Sequence, residues 1–376
     1  MHGKTRLKRY ITGFVVLVLA VCAPSALHAA PPAALAKKAP PAAKEKAPPA
    51  AQKESAAATT AKQLKQIRVL TIGSPSDAGL LIGVAHGYFE QEGMNLKFDR
   101  ISGGAETVSL LATNQVQVAG AALSAGFFNA VNRGIGVKVV ADKGQSRNGW
   151  HGTQWVIRKD LWDSGELRGL KDLKGKRMGI NGPNTGAITD LMFHDLLQAA
   201  GLKEDDIKVV VLPYPDQLQA LNNKAVDFVL MIEPGKSIAV EQGHGVLWED
   251  SPEKGKNRQV AVLMFSPQFL VSEDSKRFGV AYLRGVREFN DAIAKNKNKS
   301  QIIQILTAAS TVKNPKTYET RTGLYYVDPD GQIDWESVQA GIEVGRRKGW
   351  VKQDVDLSRV RDDSVLKHAL DKLGKY

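Results

Sequence analysis

LKDLKGKRMGINGPNTGAITDLMFHDLLQAAG, from Leu170 to Gly201, contains a basic turn, a short strand (Arg177–Asn181), a glycine-rich loop (Gly182–Gly186) and a helix. The helix carries apolar residues at Ile188, Leu191, Met192, Leu196 and Ala199, a helical period, and Gly201 stands where a left-handed glycine ends helices. A strand that enters a helix through glycines aims unpaired backbone N–H groups at whatever lies beyond the loop. The helix dipole adds partial positive charge there, so the loop is suited to an anion. Asn181, Asn184 and Thr185 add side-chain donors. GINGPNTG satisfies neither G-x-x-x-x-G-K-[ST] nor G-x-G-x-x-G, so no nucleotide is implied.

The same unit recurs on both sides. Upstream, strands are expected at 66–73, 94–101, 116–122 and 137–142, with helices at 78–86, 105–113 and 126–133. Ser76 or Asp77 would cap the first helix. The pattern restarts with strands at 154–158, 208–212 and 226–232 and a helix at 215–223. Ala220-Leu221…Val226-Asp227 echoes Leu110-Leu111…Val116-Gln117 in spacing. One more strand is expected at 259–265, and from Ser275 onward the pattern is mainly helical. Alternating strands and helices predict an α/β fold in two similar units. Its sheets would be mixed but mostly parallel, with ligands at the carboxyl ends of the strands, between the units.

The N-terminus is different in kind. Lys4, Arg6, Lys8 and Arg9 precede an apolar run from Ile11 to Ala23 and small residues at Ala26–Ala30, the pattern of a secretory signal peptide (residues 1–29). Cleavage at Ala29 or Ala30 is one expected route. Lipidation at Cys22 is the other, disfavoured by the bulk of Val21. Residues 30–66 are almost entirely Ala, Pro and Lys and read as a disordered tether that can bury no core. Residues 1–66 carry eleven Lys/Arg against two Asp/Glu, a net +9 of the chain's +12, so the basicity lies outside the folded part. That part shows no basic stripe with interleaved aromatics, and no nucleic-acid partner is expected. Cys22 is the only cysteine, so removal of the leader leaves neither thiol nor disulfide.

A group of motifs then makes the resemblance specific. They are Ala85-His86-Gly87-Tyr88-Phe89-Glu90-Gln91-Glu92-Gly93, Gly103-Gly104, Leu170–Lys176, Val226-Asp227, Glu233-Pro234 and Asp330–Asp334. In this order the chain from Ile67 to Gly374 resembles periplasmic solute-binding proteins of ABC importers. The group includes the sulfonate, taurine, nitrate and thiamine-precursor binding proteins. Asn114 and Lys224 stand where the family usually has glycine, and Gln117 where it has aspartate. The resemblance implies a periplasmic-binding-protein fold of type II, with two lobes and a cleft between them. Lobe I would be 67–152 plus 258–376 and lobe II 153–257, with crossings near Gly152–Val156 and Asn257–Val262. It also implies a monomer that serves an ABC permease and its ATPase by hinge closure.

By position in that family, lobe I would line the cleft with Ser74, Ser76, Asp77, Gly103, Gly104, Leu123 and Ser124. Lobe II would add Asn181, Asn184, Thr185, Gly186 and Glu233. The polar segment Gln145–His151 near the first crossing offers Trp150, which could stack on a ligand or pack under the hinge. Arg147 and His151 are the nearest counter-ions. Glu233 could accept from a ligand or pair with a neighbouring cation. Ser, Thr, Asn and glycine N–H groups at helix starts suit a small sulfonate, carboxylate or nitrate-like anion. No H-E-x-x-H, G-x-S-x-G or Cys–His pair is present, and neither an enzyme nor a cofactor or metal is expected. Two alternatives remain: a periplasmic sensor with the same binding chemistry, and an enzyme like the fungal pyrimidine synthases that share the family's fold. The latter need a cysteine-rich motif that this chain lacks.

Overall fold

The computed structural model describes residues 63–100, 105–181, 188–252 and 256–376. The leader, Cys22 and the tether up to residue 62 lie outside the described residues. Among the described residues ten strands follow in chain order: β1 (Lys65–Thr71), β2 (Met94–Arg100), β3 (Val118–Ala121), β4 (Lys138–Ser146), β5 (Thr153–Arg158), β6 (Arg177–Ile180), β7 (Lys208–Val211), β8 (Phe228–Ile232), β9 (Gly245–Leu247) and β10 (Arg258–Phe265). β1 starts two residues inside the expected tether, because Lys65 and Gln66 already pair with Met94 and Asn95.

Two five-stranded sheets result, one per lobe, ordered β2-β1-β3-β10-β4 and β7-β6-β8-β5-β9. The two orders are the same pattern written twice. In each sheet four strands share a direction and one runs against them: β10 between β3 and β4, and β5 between β8 and β9. Each opposed strand is the first that the chain forms after changing sheets. The chain leaves the first sheet through residues 147–152 and returns through 248–257, slightly upstream of the crossings expected from sequence. The shift arises because polar Thr153, Gln154 and Gln259 are recruited into β5 and β10 by backbone pairing.

Register fixes which way the sheets point. Thr153 opens β5 opposite Ile232 at the end of β8, and Arg258 opens β10 opposite Ser146 at the end of β4. The carboxyl ends of the like-directed strands in both sheets therefore meet the crossings.

Helices cover both faces of each sheet. On one face of the first, Ala78–Ala85, Glu273–Lys295 and Ser364–Leu373 enclose a core that includes Phe89, Phe278, Tyr282 and Phe289. The opposite face buries Phe127 and Phe128 beneath Ala125–Asn132 and Trp335–Arg347. The long helix Glu273–Lys295 presents Phe278, Tyr282, Val286, Phe289 and Ile293 at helical spacing, begins with Glu273 and Asp274, and ends at Asn296 in the left-handed conformation. It crosses Ala78–Ala85 so closely that a Cβ on Gly285 would lie 2.2 Å from the Gly79 carbonyl oxygen and 2.9 Å from the Gly83 nitrogen. The second sheet is covered by Ile188–Ala200 on one face and by Tyr214–Asn222 with Gly235–Glu241 on the other. Lys159–Ser164, Gly235–Glu241 and the three-residue β9 carry no periodic signal in the sequence.

The repeat seen in sequence has a structural cause. Asp227 Oδ2 accepts from the Arg177 N–H at 2.8 Å, at the start of β6; Gln117 Oε1 accepts from the Arg68 N–H at 3.0 Å, near the start of β1. One anchor is charged and the other neutral, in the same place. The preceding turns use left-handed Asn114 (φ 55°) and Lys224 (φ 60°), so backbone geometry survives where glycine does not.

Two predictions follow from these contacts. Gly285→Ala should lower unfolding free energy by about 1–3 kcal/mol in urea titration, because the obstructing atoms are backbone and cannot turn aside. Burial pulls the Asp227 carboxyl upward, but its bonds and charge contacts with Arg177 and Arg158 outweigh burial and hold it below the usual carboxylate range. A depressed folded-state pKa stabilises above the unfolded pKa and is lost as pH falls through the folded value. Asp227→Asn should therefore lower stability at neutral pH and flatten its decline below about pH 4, read from urea midpoints across pH.

Candidate functional site

Both crossings and the carboxyl strand ends converge on one region. After β1 the chain turns at Gly73 (φ 74°), and Ser74, Ser76 and Asp77 follow, each at most 3 % exposed. Asp77 holds the N-cap position of Ala78–Ala85 but makes no capping bond, which corrects the role expected for it. Its Oδ1 instead accepts from Thr71 Oγ1 at 2.5 Å and faces Lys143 Nζ at 2.8 Å. Lys143 also donates to Ser76 Oγ at 2.7 Å, and Ser76 and Ser74 hydroxyls lie 2.8 Å apart. Lys143 comes from β4 and reaches this loop across bare Gly120, where a Cβ would stand 2.3 Å from Lys143 Cε. A buried ion pair thus anchors the loop after β1, leaving the Asp77 charge already neutralised.

Ser124 caps Ala125–Asn132 by accepting from Phe127 N at 3.3 Å, and Leu123 beside it packs on the second core. At the end of β6, Asn181 hydrogen-bonds the hydroxyl of Tyr214, which offsets part of the rise that burial imposes on that phenol. The Asn181 backbone N–H is held by Gln217, whose amide is oriented so that its oxygen accepts at 3.2 Å and its nitrogen donates to Leu230 O at 3.0 Å. Gly103, Gly104, Asn184, Thr185 and Gly186 lie outside the described residues.

Trp150 is 6 % exposed and packs among Phe289 and Tyr326, with the Arg321 guanidinium 5.3 Å from its ring. Of its two expected roles this is the packing one. Arg147 donates to Gln145 Oε1 at 2.9 Å and lies over the Tyr326 ring. Glu233, joined to Pro234 by a cis peptide, is buried. It accepts from Ser237 N at 3.2 Å and Ser237 Oγ at 3.0 Å and faces Lys236 at 3.4 Å. Lys236 in turn donates to the His151 carbonyl. Burial draws the Lys236 ammonium below the usual lysine range while Glu233 draws it back.

Sequence reasoning missed four contributors. Lys143 and Tyr325 come from the first lobe, Tyr214 and Lys236 from the second. Tyr325 lays its ring against Gly152, where a Cβ would stand 2.5 Å from ring atoms, and shares a hydrogen bond of 2.9 Å with Thr153 Oγ1. Its phenol is pushed well up by burial. Two signals were available: Asp142-Lys143 interrupts an apolar strand, and Lys236 follows Glu233 by one helical turn.

On the other flank, Asp195 pairs with Arg258 at 2.6 Å and Lys256 at 3.1 Å, and Glu204 with Lys348 at 2.6 Å. A cavity of about 670 Å³ opens between Arg147, Lys256–Arg258 and the start of Trp335–Arg347. Among the described residues no group of three or more His, Cys, Asp or Glu could hold a metal ion, and no helix is long and apolar enough to cross a membrane.

Comparison with known proteins places this geometry. The pattern of the NMT1/THI5-like family matches residues 74–289, more than half of the chain. No curated protein matches in sequence. The ligand-binding component of an ABC-type import system from Staphylococcus aureus, solved with zinc, superposes with a TM-score of 0.64 at 14 % identity, covering 81 % of this chain and 99 % of that one. The alkanesulfonate-binding protein SsuA from Xanthomonas axonopodis pv. citri, bound to MOPS, gives 0.59 at 16 % identity over 79 % and 98 %. A desulfurization enzyme, DszB, gives 0.59 at 13 % identity over 82 % and 99 %. At these identities the likeness is one of fold: a two-lobed, periplasmic-binding-protein architecture of type II, which serves binding proteins and at least one enzyme.

Lys143→Met should cost about 3–5 kcal/mol in urea unfolding, because it strands the Asp77 carboxylate in the interior. Lys143→Met with Asp77→Asn should recover part of that loss, since no uncompensated charge is left.

Proposed function

The chain belongs to the NMT1/THI5-like family, and from that premise we propose that it is an extracytoplasmic solute-binding receptor. It captures a small anion between its lobes and delivers it to an ABC permease and its ATPase. One observation carries the proposal. Both sheets have the same strand order, each with its one opposed strand formed directly after a crossing, so their carboxyl ends oppose one another across two short crossings. That arrangement suits a hinge closing on a ligand. The lobes would be 67–152 with 258–376, and 153–257.

The anionic class is supported by how the charges are used. Lys143 is balanced by Asp77 and Lys236 by Glu233, so recognition falls to neutral donors: the Ser74, Ser76 and Ser124 hydroxyls, Asn181, Tyr214, and the glycine-rich loops at 103–104 and 182–186. Sulfonate, carboxylate and nitrate-like groups fit such donors, and the bound state of SsuA is a sulfonate precedent in this fold. The leader-like N-terminus supports export to the periplasm, and the role we propose is binding without turnover.

Thermal unfolding of the full exported protein, against a panel of sulfonates, carboxylates, nitrate, pyrimidines and flavins, tests the proposal. A ligand at one hundred times its Kd stabilises by about 2.7 kcal/mol, which raises Tm by roughly 2–5 °C in a protein of this size. The expected result is a shift confined to one anionic class, a one-to-one adduct in native mass spectrometry, and ligand recovered chemically unchanged. A panel without any shift, or a ligand recovered as product, would overturn it.

A further inference from the structure

Lys236 joins segments that belong to different lobes. It sits on Gly235–Glu241 in the second lobe and is 2 % exposed, yet its ammonium reaches three different parts of the molecule. One bond, of 2.5 Å, goes to the carbonyl of His151 in the first crossing. Another, of 2.8 Å, goes to the carbonyl of Thr322. The third direction faces Glu233 Oε1 in its own lobe at 3.4 Å.

Thr322 is tied to the first lobe. Its neighbourhood is held there by the hydrogen bond from Thr311 N to Gly73 O, by the Gln145–Tyr326 bridge, and by Tyr318 in the first core. The same helix meets this segment again where Ser237 Oγ lies 3.5 Å from Thr317 Oγ1 and where the Asn314 amide donates to Glu241. A small crevice of about 220 Å³ runs along the seam.

We propose that Lys236 is a fastener between the two lobes and the first crossing, and that it sets how far the lobes stand apart when no ligand is bound. The proposal deepens the hinged-receptor reading and rests on it. Opening the seam takes the Thr322 carbonyl away from an ammonium that would remain buried with fewer acceptors. A buried charged donor tolerates that poorly. The bond to His151 O makes the same ammonium a positioning group for the first crossing, while its contact with Glu233 fixes that carboxylate beside the cleft. The opposite flank is fastened differently. The Lys256, Lys348 and Glu204 side chains there are 40 %, 32 % and 44 % exposed, so their ion pairs are open to screening by salt, beside an Arg258–Asp195 pair that is largely buried; Lys236 and Glu233 are shielded altogether.

The test is the interlobe distance of ligand-free protein, measured by electron–electron double resonance between spin labels at Asn95→Cys and Asp205→Cys in a Cys22→Ser background. Lys236→Met keeps the bulk and removes every donor. The expected result is a main distance peak displaced by several ångströms or clearly broadened, while the unaltered Lys236 protein keeps its peak in about 1 M salt. A folded Lys236→Met protein with an unchanged distribution would overturn the proposal, because a purely structural lysine alters melting without moving the lobes. A wild-type peak that moves with salt would overturn it as well, by assigning the resting angle to the exposed ion pairs. If Lys236→Met does not fold, Ser237→Ala with Asn314→Ala removes the other contacts of the same seam and leaves the Lys236 bonds in place: an unmoved peak is then the expected result, and a displaced one overturns the proposal by assigning the resting angle to those contacts. No ligand enters the measurement, so a failed ligand panel leaves this result standing or falling by itself.

Discussion

The backbone pairing of β5 and β10 is the constraint on which the rest depends. Each occupies an interior place in a five-stranded sheet, where unpaired N–H and C=O groups could not be left without partners. Because β10 follows the second crossing, the first sheet is completed only after the chain has built the whole second sheet from the consecutive strands β5–β9. The two crossings are therefore short, and their ends are pinned by register at Thr153 and Arg258. A region lined by both lobes is a by-product of completing the sheets.

That constraint also explains polar residues in the middle of strands. Asp142 in β4 is fully buried, and its carboxylate accepts from Gln259 Nε2 at 2.7 Å, Gly144 N at 2.9 Å and Asp328 N at 2.7 Å. Gln259 in β10 also donates to Gly144 O and Ala261 O and accepts from Asp334 N. Two residues thus join the strand that leaves the first lobe to the strand that re-enters it. Burial pushes the Asp142 carboxyl up to about 7, the cost of placing this knot in the interior, and the three donors oppose that rise. Lys143, one position on, points to the loop after β1. The same short run of β4 therefore organises the hinge with one residue and the cleft with the next.

The two lobes have kept geometry and exchanged chemistry. Asp227 and Gln117 both anchor a strand start through a side-chain oxygen, but Asp227 also gathers Arg177 and Arg158, whereas Gln117 spends its amide nitrogen on Asn114 O. A carboxylate with two guanidinium partners and a neutral amide with a carbonyl partner meet the same backbone demand. This is why departures from the family's usual residues at these positions leave the fold intact.

What the sequence determined was what periodicity and turn chemistry encode locally. The strands and long helices, the left-handed turns at Asn114 and Gly201, the repeat, and the family all follow from apolar spacing and motif order in the chain itself. The loops proposed to line the cleft were picked out because glycines and hydroxyl residues at strand ends advertise their chemistry. Which side chains are free to use that chemistry was not legible. Asp77 looked like a cap and is half of a buried ion pair with Lys143, 66 positions away. Trp150 looked equally suited to ligand or core and went to the core; Tyr325 gave no signal and packs on the crossing at Gly152. Those outcomes depend on pairings between residues distant in sequence, where burial forces each charge and each hydrogen-bonding group to find a partner. Local sequence supplies the groups; only the folded chain decides which of them meet.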